Sequence, residues 1–222
     1  MAKVNYKELY RLQDEVLREI FVADHDFYLT GGTCLSRFYH HKRYSLDLDL
    51  FNHNNDLYSG QLREIQTSLD KHFTVAVSVK AKDFTRLLID EALQIDFVNE
   101  RTPRLNQIII LDSGIKIDSI NNMLSNKLTA VMGRDDPKDI FDIYLIARYY
   151  SFSWEDILES SRDKLAFNLE DLVMRLKTFP QELLTMLNLV DKNFLNDFDN
   201  KYPVILDEII HTTNHQKWDQ DD

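Results

Sequence analysis

Two aspartates at alternate positions of a short apolar segment have the residue type and spacing that metal-dependent chemistry needs. The segment is SLDLDLF at residues 45–51, and its strict alternation predicts a β-strand. Residues two apart in a strand point to the same face, so Asp47 and Asp49 are expected to project together. Adjacent carboxylates repel each other and are most simply neutralised by a divalent cation with oxygen ligands, Mg²⁺ or Mn²⁺. The alternative is a strand with one face in water.

A third aspartate interrupts the apolar segment LQIDFV at residues 93–98. An unpaired carboxylate within an apolar strand is costly, so Asp96 is expected to pair with Asp47 and Asp49 across a neighbouring strand. Three such carboxylates would hold two magnesium ions, which align a nucleoside triphosphate and polarise the attacking hydroxyl. Asp118, in the segment KID, competes for the third position, and an edge-strand aspartate facing water is the alternative for Asp96.

The turn Gly31-Gly32-Thr33 lies between a predicted strand, FYLT, and a predicted short helix, TCLSRFYHH. Glycines permit backbone conformations that a side chain would block, and they let a phosphate approach the backbone amides and the following helix. The turn therefore predicts a phosphate-binding segment upstream of the aspartates, although Gly-Gly is also the sequence of a plain turn.

The sequence pattern of the first half of the chain predicts a sheet, which would bring the aspartates and the glycine turn together. Helical spacing at residues 4–22 and 57–72 alternates with strand-like segments. Residues 73–117 have a continuous β pattern, in which Ser113-Gly114 is a hairpin turn. We therefore expect a mixed sheet with flanking helices.

The second half predicts helices. Asp136-Pro137 supplies an N-cap and a proline at the first helical position, residues 180–190 have a helical pattern, and a polar tail follows His211. The fold class is therefore α/β (α+β), with a sheet domain over residues 1–118 and a helical C-terminal domain over residues 119–222.

The composition is that of an ordinary globular protein. The 222 residues are 44% hydrophobic and 28% charged, which argues against an intrinsically disordered chain. Cys34 is the only cysteine, so an internal disulfide and a cysteine-rich zinc module are excluded. No segment is apolar enough for a signal peptide or a membrane span. We expect a cytoplasmic protein with no membrane partner.

The net charge of −11 bears on nucleic-acid binding. A protein that binds nucleic acid along a long groove usually has a basic face. The positive charge here is concentrated at His40–Arg43, with Lys127, Arg134 and Lys138 as further candidates. A bound RNA is therefore expected to contact a compact patch.

The order of the motifs resembles the nucleotidyltransferase fold shared by polymerase-β-like enzymes: a glycine pair, a helix, alternating aspartates on one strand and a later aspartate on another. The segments GGTCLSRFYHHKRYSLDLDLF and KLTAVMGRDDPKDIFDIYLI resemble the AbiEii-type toxin family of bacterial toxin–antitoxin and phage-defence systems. The resemblance covers roughly residues 25–150. It implies metal-dependent transfer of a nucleotide from an NTP substrate, with tRNA or another RNA as acceptor, and a cognate antitoxin protein as partner.

The resemblance also implies roles for particular residues. Asp47 and Asp49 match the metal ligands, beside which we expect Asp96 as the base or a third ligand. Lys127 or Lys138 would neutralise the leaving pyrophosphate. The matched nucleotide-binding residues lie in the glycine turn, in the R-x-S segment before the aspartates and in the later helix pair: Gly31, Gly32, Thr33, Arg43, Ser45, Arg134, Lys138, Asp139 and Asp142.

Helical spacing supports the last group independently. Lys127 and Arg134 share one helical face, and Asp139 and Asp142 share a face of the next helix. The alternative is a solvated charged face with surface ion pairs. The polar run at residues 121–126 suits a cleft wall better than a core.

These observations favour a Mg²⁺-dependent nucleotidyltransferase. The alternative is a catalytically silent nucleotide- or partner-binding module of the same fold, against which the intact Asp47, Asp49 and Asp96 argue. A third hypothesis is a toxin whose activity is masked by a bound antitoxin.

Overall fold

The computed structural model describes residues 4–53 and 55–219, and the chain divides into two compact units. The first unit contains the chain up to Asp118, except for His40–Arg43 and Pro103–Asn106. These two short segments belong to the second unit, together with the remainder of the chain.

Within the described residues, seven strands form one mixed sheet in the first unit. In chain order they are β1 (Tyr28–Thr30), β2 (Leu48–His53), β3 (Val75–Lys80), β4 (Phe84–Ile89), β5 (Leu93–Glu100), β6 (Ile109–Ile110) and β7 (Lys116–Ile117). Their spatial order is β3-β4-β5-β2-β1-β7-β6. Strand β2 is parallel to β5 and β1 is parallel to β7, while the other neighbours are antiparallel.

One face of this sheet is apolar. The helices of the unit are α1 (Tyr6–Ile20), α2 (Gly31–Cys34, continued by a π-helical turn at Leu35–Tyr39) and α3 (Tyr58–Leu69). Leu48, Leu50 and the neighbouring Phe97 are fully buried, and Tyr58 of α3 donates its hydroxyl to the Phe97 carbonyl at 3.0 Å. Because side chains alternate along a strand, Asp49 points to the opposite face.

The second unit is helical, and the two units together confirm the predicted fold class. Its α-helices are α4 (Ile120–Gly133), α5 (Pro137–Tyr149), α6 (Trp154–Lys164), α7 (Leu169–Lys177) and α8 (Phe198–His211). Asp136 caps α5 through the Lys138 amide, and Pro137 is its first residue, as the sequence predicted. In the described part of the chain, every helix is too short or too polar to cross a membrane.

Two segments of this unit differ from the sequence-based prediction. In residues 180–190 only a 3₁₀ turn, Gln181–Met186, forms, because Leu184 is its one buried residue and a longer helix would have little to pack against. The polar tail forms a strand, β9 (Asn214–His215), paired with β8 (Phe152–Ser153). His215 is fully buried there.

The polar run of α4 forms a helix–helix interface. Asn122 and Ser125 are fully buried, and the hydroxyls of Ser125 and Ser160 lie 3.0 Å apart. Lys164 of α6 donates to the side-chain oxygens of Asn122 and Asn126 at 2.6 Å each. Buried polar groups require such partners, so these residues join α4 to α6, and the prediction that they form a cleft wall is replaced.

Candidate active site

One face of the sheet displays polar side chains at neighbouring positions of four strands. Asp49 on β2 lies opposite Asp96 on β5 and opposite Thr30 on β1. Asp96 in turn lies opposite Arg86 on β4. Residues opposite each other on paired strands have side chains on the same face. Arg86, Asp96, Asp49 and Thr30 therefore form a row, here called the carboxylate row.

Asp47 lies just before the first residue of β2, so the observed strand starts later than the predicted one. The backbone carbonyl of Asp47 accepts a hydrogen bond from the Thr33 hydroxyl. This bond connects the residue before β2 with helix α2. Asp47 and Asp49 are both partly exposed. The pKa of Arg86 is raised, first by its hydrogen bonds with Asp96 and further by the charges of Asp47 and Asp49. Both carboxylates thus lie within electrostatic reach of Arg86.

The glycine turn lies directly against Asp49. Gly31 has a φ of +70°, in the left-handed region that glycine adopts without strain. A Cβ atom at this position would overlap the Oδ2 oxygen of Asp49 and would lie only 3.0 Å from its Cγ. Gly32 and Thr33 are buried. Glycine at position 31 is therefore required both by the backbone and by the aspartate side chain.

Arg86 is a site residue that sequence analysis missed. Its Nε and Nη2 donate to the two oxygens of Asp96 at 2.7 Å each. The register of the β4–β5 hairpin could have revealed this pair, because counting back from Ile89 opposite Leu93 brings Arg86 opposite Asp96.

Asp118 occupies a different environment from Asp96. It follows β7, is fully buried, and accepts a hydrogen bond from the Thr30 hydroxyl at 2.6 Å. Thr30 therefore separates Asp118 from Asp49, whereas Asp96 is the direct cross-strand neighbour of Asp49. Burial, followed by the Asp118 charge, raises the pKa of the Cys34 thiol well above its usual value, which disfavours a nucleophilic role for Cys34.

The carboxylate oxygens near the row fit a hard divalent cation. Asp47 and Asp49 offer oxygen ligands, which Mg²⁺ and Mn²⁺ prefer. Both oxygens of Asp96 accept hydrogen bonds from Arg86. Over residues 4–53 and 55–219, no three His, Cys, Asp or Glu side chains converge closely enough to hold a metal ion together. By donor chemistry, Asp47 and Asp49 are the residues that would hold the ion.

Five of the predicted site residues meet in the second unit as a chain of ion pairs, here called the ion network. Arg43 donates to both oxygens of Asp142 at 2.7 Å. Lys127 contacts Asp142 at 2.7 Å and Asp139 at 2.9 Å. Arg134 donates to Asp139 at 2.7 and 3.0 Å. The network joins α4, α5 and the segment His40–Arg43.

The network is mostly buried, so its charges depend on one another. The side chains of Asp139 and Asp142 are each 1% exposed, and that of Lys127 is 12% exposed. Burial by itself would lower the pKa of Lys127, but the charges of Asp142 and Asp139 more than offset it and raise the pKa to about 12. Burial by itself would raise the pKa of both aspartates, yet the neighbouring cations hold each below 3.8. Lys127 is therefore not the solvated surface lysine that was the alternative.

Other predicted residues lie outside both clusters. Lys138 is exposed. Ser45 is buried in the first unit, where its amide donates to the Tyr10 hydroxyl at 3.1 Å. In the segment His40–Arg43, His40 stacks on Tyr149 with ring centroids 3.8 Å apart. The segment thus packs within the second unit.

Known proteins share this sequence pattern and fold. A family model described as the nucleotidyl transferase AbiEii toxin of a type IV toxin–antitoxin system matches residues 15–221. An uncharacterized protein of Aquifex aeolicus is 28% identical over 154 residues, which are 68% of this chain and 73% of that protein.

Two solved structures are similar along most of their length. JHP933 from Helicobacter pylori has a TM-score of 0.60 and 20% identity, and the match covers 94% of this chain and 93% of that one. The nucleotidyltransferase toxin MenT4 from Mycobacterium tuberculosis has a TM-score of 0.61 and 16% identity, over 91% of this chain and 84% of that one. At such identities the likeness shows the fold, which is that of a nucleotidyltransferase. Because the family model spans nearly the whole sequence, the resemblance predicted from the two motif segments is confirmed, and the chain belongs to the AbiEii nucleotidyltransferase toxin family.

Proposed function

We propose that this protein is a Mg²⁺-dependent enzyme that transfers a nucleoside monophosphate from an NTP to a hydroxyl group of an RNA. The observation that supports this most directly is the position of Asp49 in the carboxylate row, beside Asp96 and against Gly31. A glycine turn in contact with an aspartate lets a triphosphate and a carboxylate-bound cation approach each other closely.

The candidate site residues of the first unit have different proposed roles. Asp47 and Asp49 would hold the cation, which when bound neutralises charge on the phosphates and polarises the attacking hydroxyl. The turn at Gly31, Gly32 and Thr33 would bind the triphosphate. Asp96 would act either as the base that accepts the hydroxyl proton or as a third ligand of the cation. In the reaction the acceptor oxygen bonds to the α-phosphorus, its proton passes to the base, and pyrophosphate leaves.

The second unit is proposed to bind nucleotide through charges that are already fixed in place. Arg43, Lys127, Arg134, Asp139 and Asp142 hold one another in the ion network, and Arg134, whose side chain is 58% exposed, is the member that a nucleotide could contact directly. A role for Lys127 or the exposed Lys138 in neutralising pyrophosphate stays a prediction.

The family and the net charge of the protein support two proposed partners, an antitoxin protein and an RNA. A type IV toxin family supports an antitoxin protein as a partner. The net charge of −11 supports an RNA acceptor that makes few phosphate contacts. The binding-only alternative predicts an NTP complex without turnover.

The test is transfer of label from each of the four NTPs to total RNA in the presence of Mg²⁺. The same NTP labelled at the α-phosphate or at the γ-phosphate distinguishes the reactions, because nucleotidyl transfer retains the α-phosphorus and releases the γ-phosphorus. We expect α-label in RNA with at least one NTP, and no γ-label. NTP binding without α-label in RNA would contradict the proposal and support the binding module.

A further inference from the structure

Arg86 is a cation that contacts the carboxylate row, although neither the motifs nor the resemblance assigned it a role. Its guanidinium donates to both oxygens of Asp96 at 2.7 Å. The Arg86 side chain is 36% exposed and that of Asp96 is 12% exposed. The pair therefore lies at the edge of solvent, where an approaching ion would meet it.

Three carboxylates act on this one guanidinium. Asp96 bonds it directly, and the charges of Asp47 and Asp49 also reach it. The charge of Arg86 therefore acts on all three carboxylates, as the charge of a bound cation would. Because Arg86 already binds both oxygens of Asp96, it engages this carboxylate as a second cation would, and the proposed ion is assigned to Asp47 and Asp49.

We propose that Arg86 takes the place of a second cation in this site, so that the free protein binds one divalent cation at Asp47 and Asp49 while Arg86 orients Asp96. The inference rests on the proposed metal dependence and narrows it from two ions to one. Arg86 is then a positioning residue, since it acts through Asp96.

The geometry of the pair suits this role. A planar guanidinium that binds both oxygens of a carboxylate fixes its orientation as well as its charge. Asp96 is thereby held beside Asp49 with a defined direction for its remaining lone pairs. A lysine at position 86 would supply the charge without the two-point orientation.

Titration of the free protein with Mn²⁺ tests the proposal without any substrate. The wild type is expected to bind one Mn²⁺ per chain. Arg86→Gln removes a positive charge near the cation, so it should bind Mn²⁺ about three- to tenfold more tightly while transferring nucleotide more slowly. Arg101→Gln is the matched control, because Arg101 bonds Asp83 in the same unit but outside the row, and it should behave as the wild type.

Three further variants distinguish the charge of Arg86 from its structural role. Asp96→Asn leaves Arg86 without its counter-charge and should weaken Mn²⁺ binding, and Arg86→Gln with Asp96→Asn should restore an affinity near that of the wild type. Arg86→Lys should keep the Mn²⁺ affinity and still slow transfer. Thermal unfolding confirms that each variant is folded.

The outcomes distinguish this inference from the proposed function. Two Mn²⁺ ions per wild-type chain, or unchanged or weaker binding by a folded Arg86→Gln variant, would overturn the role of Arg86 and leave the metal site standing. No Mn²⁺ binding by the wild type would overturn the metal site itself, and the inference with it.

Discussion

The side chain of Asp49 occupies the space that a side chain at position 31 would need, so only glycine fits there. The turn needs a positive φ, and a Cβ atom would overlap the aspartate oxygen. The sequence identified both residues from the motif order but could not show that they touch, because the contact depends on the pairing of β1 with β2.

Replacing Gly31 by alanine should therefore have two effects. Strain in the left-handed region costs about 1–2 kcal/mol of stability, and displacement of Asp49 should abolish transfer and weaken Mn²⁺ binding. Gly114→Ala is the matched control, since Gly114 has a φ of +82° with no atom near its Cβ position. It should lose similar stability, measured by urea unfolding, and keep full transfer. Full transfer by Gly31→Ala would contradict the contact.

At the scale of elements, short-range periodicity predicted most of what the structure shows. Alternation located β2, the apolar segment at residues 93–98 located β5, and the Asp136-Pro137 signal located the start of α5. The ion network was not predicted as such, because matched spacing on α4 and α5 shows only which charges share a face. Which face is buried depends on packing. The missed strand β9 has the same cause, since a polar dipeptide forms it by pairing with β8.

The ion network makes a prediction about how α4 and α5 are held together. Lys127→Met removes one cation from two buried carboxylates, which keep their bonds to Arg43 and Arg134, and should cost about 1–3 kcal/mol in the free energy of unfolding. Lys138→Met removes an exposed lysine of α5 and should change it by less than about 0.5 kcal/mol. Urea unfolding of both variants measures the difference, and equal stabilities would show that Lys127 is not part of a buried network.

The ion network should also make the free energy of unfolding depend on pH. The folded pKa of Lys127 is raised from 10.5 to about 12, so its contribution is complete below pH 10.5 and disappears as the pH rises through 12. The pKa values of Asp139 and Asp142 are lowered, so their contribution disappears as the pH falls below about 3.8. The stability difference between the wild type and Lys127→Met should therefore shrink between pH 10.5 and 12. A constant difference over that interval would contradict the assignment.

At the scale of the whole molecule, acidic charge limits how RNA can bind. The sequence suggested His40–Arg43 as a basic patch, but Arg43 is only 4% exposed and is bonded to Asp142. Fewer cations are thus available to phosphates than the sequence implied. The log–log dependence of RNA affinity on salt should therefore be shallower than the slope of about −5 to −9 for proteins that make six to ten phosphate contacts. Filter binding across a salt series measures this slope, and a value in that range would indicate a long basic track.

If Asp47 and Asp49 hold the cation for nucleotidyl transfer, as proposed, the loss of both carboxylates should remove the activity and leave the fold intact. The transfer of α-labelled nucleotide to RNA should be measured for the wild type, for Asp47→Asn with Asp49→Asn, and for Asp83→Asn as a control aspartate paired with Arg101. Loss of the two carboxylates should reduce the rate by at least about 10²–10³-fold, with stability unchanged or higher because their repulsion is relieved. Asp83→Asn should transfer at the wild-type rate. A folded double variant that still transfers nucleotide at the wild-type rate would contradict a metal-binding role for Asp47 and Asp49.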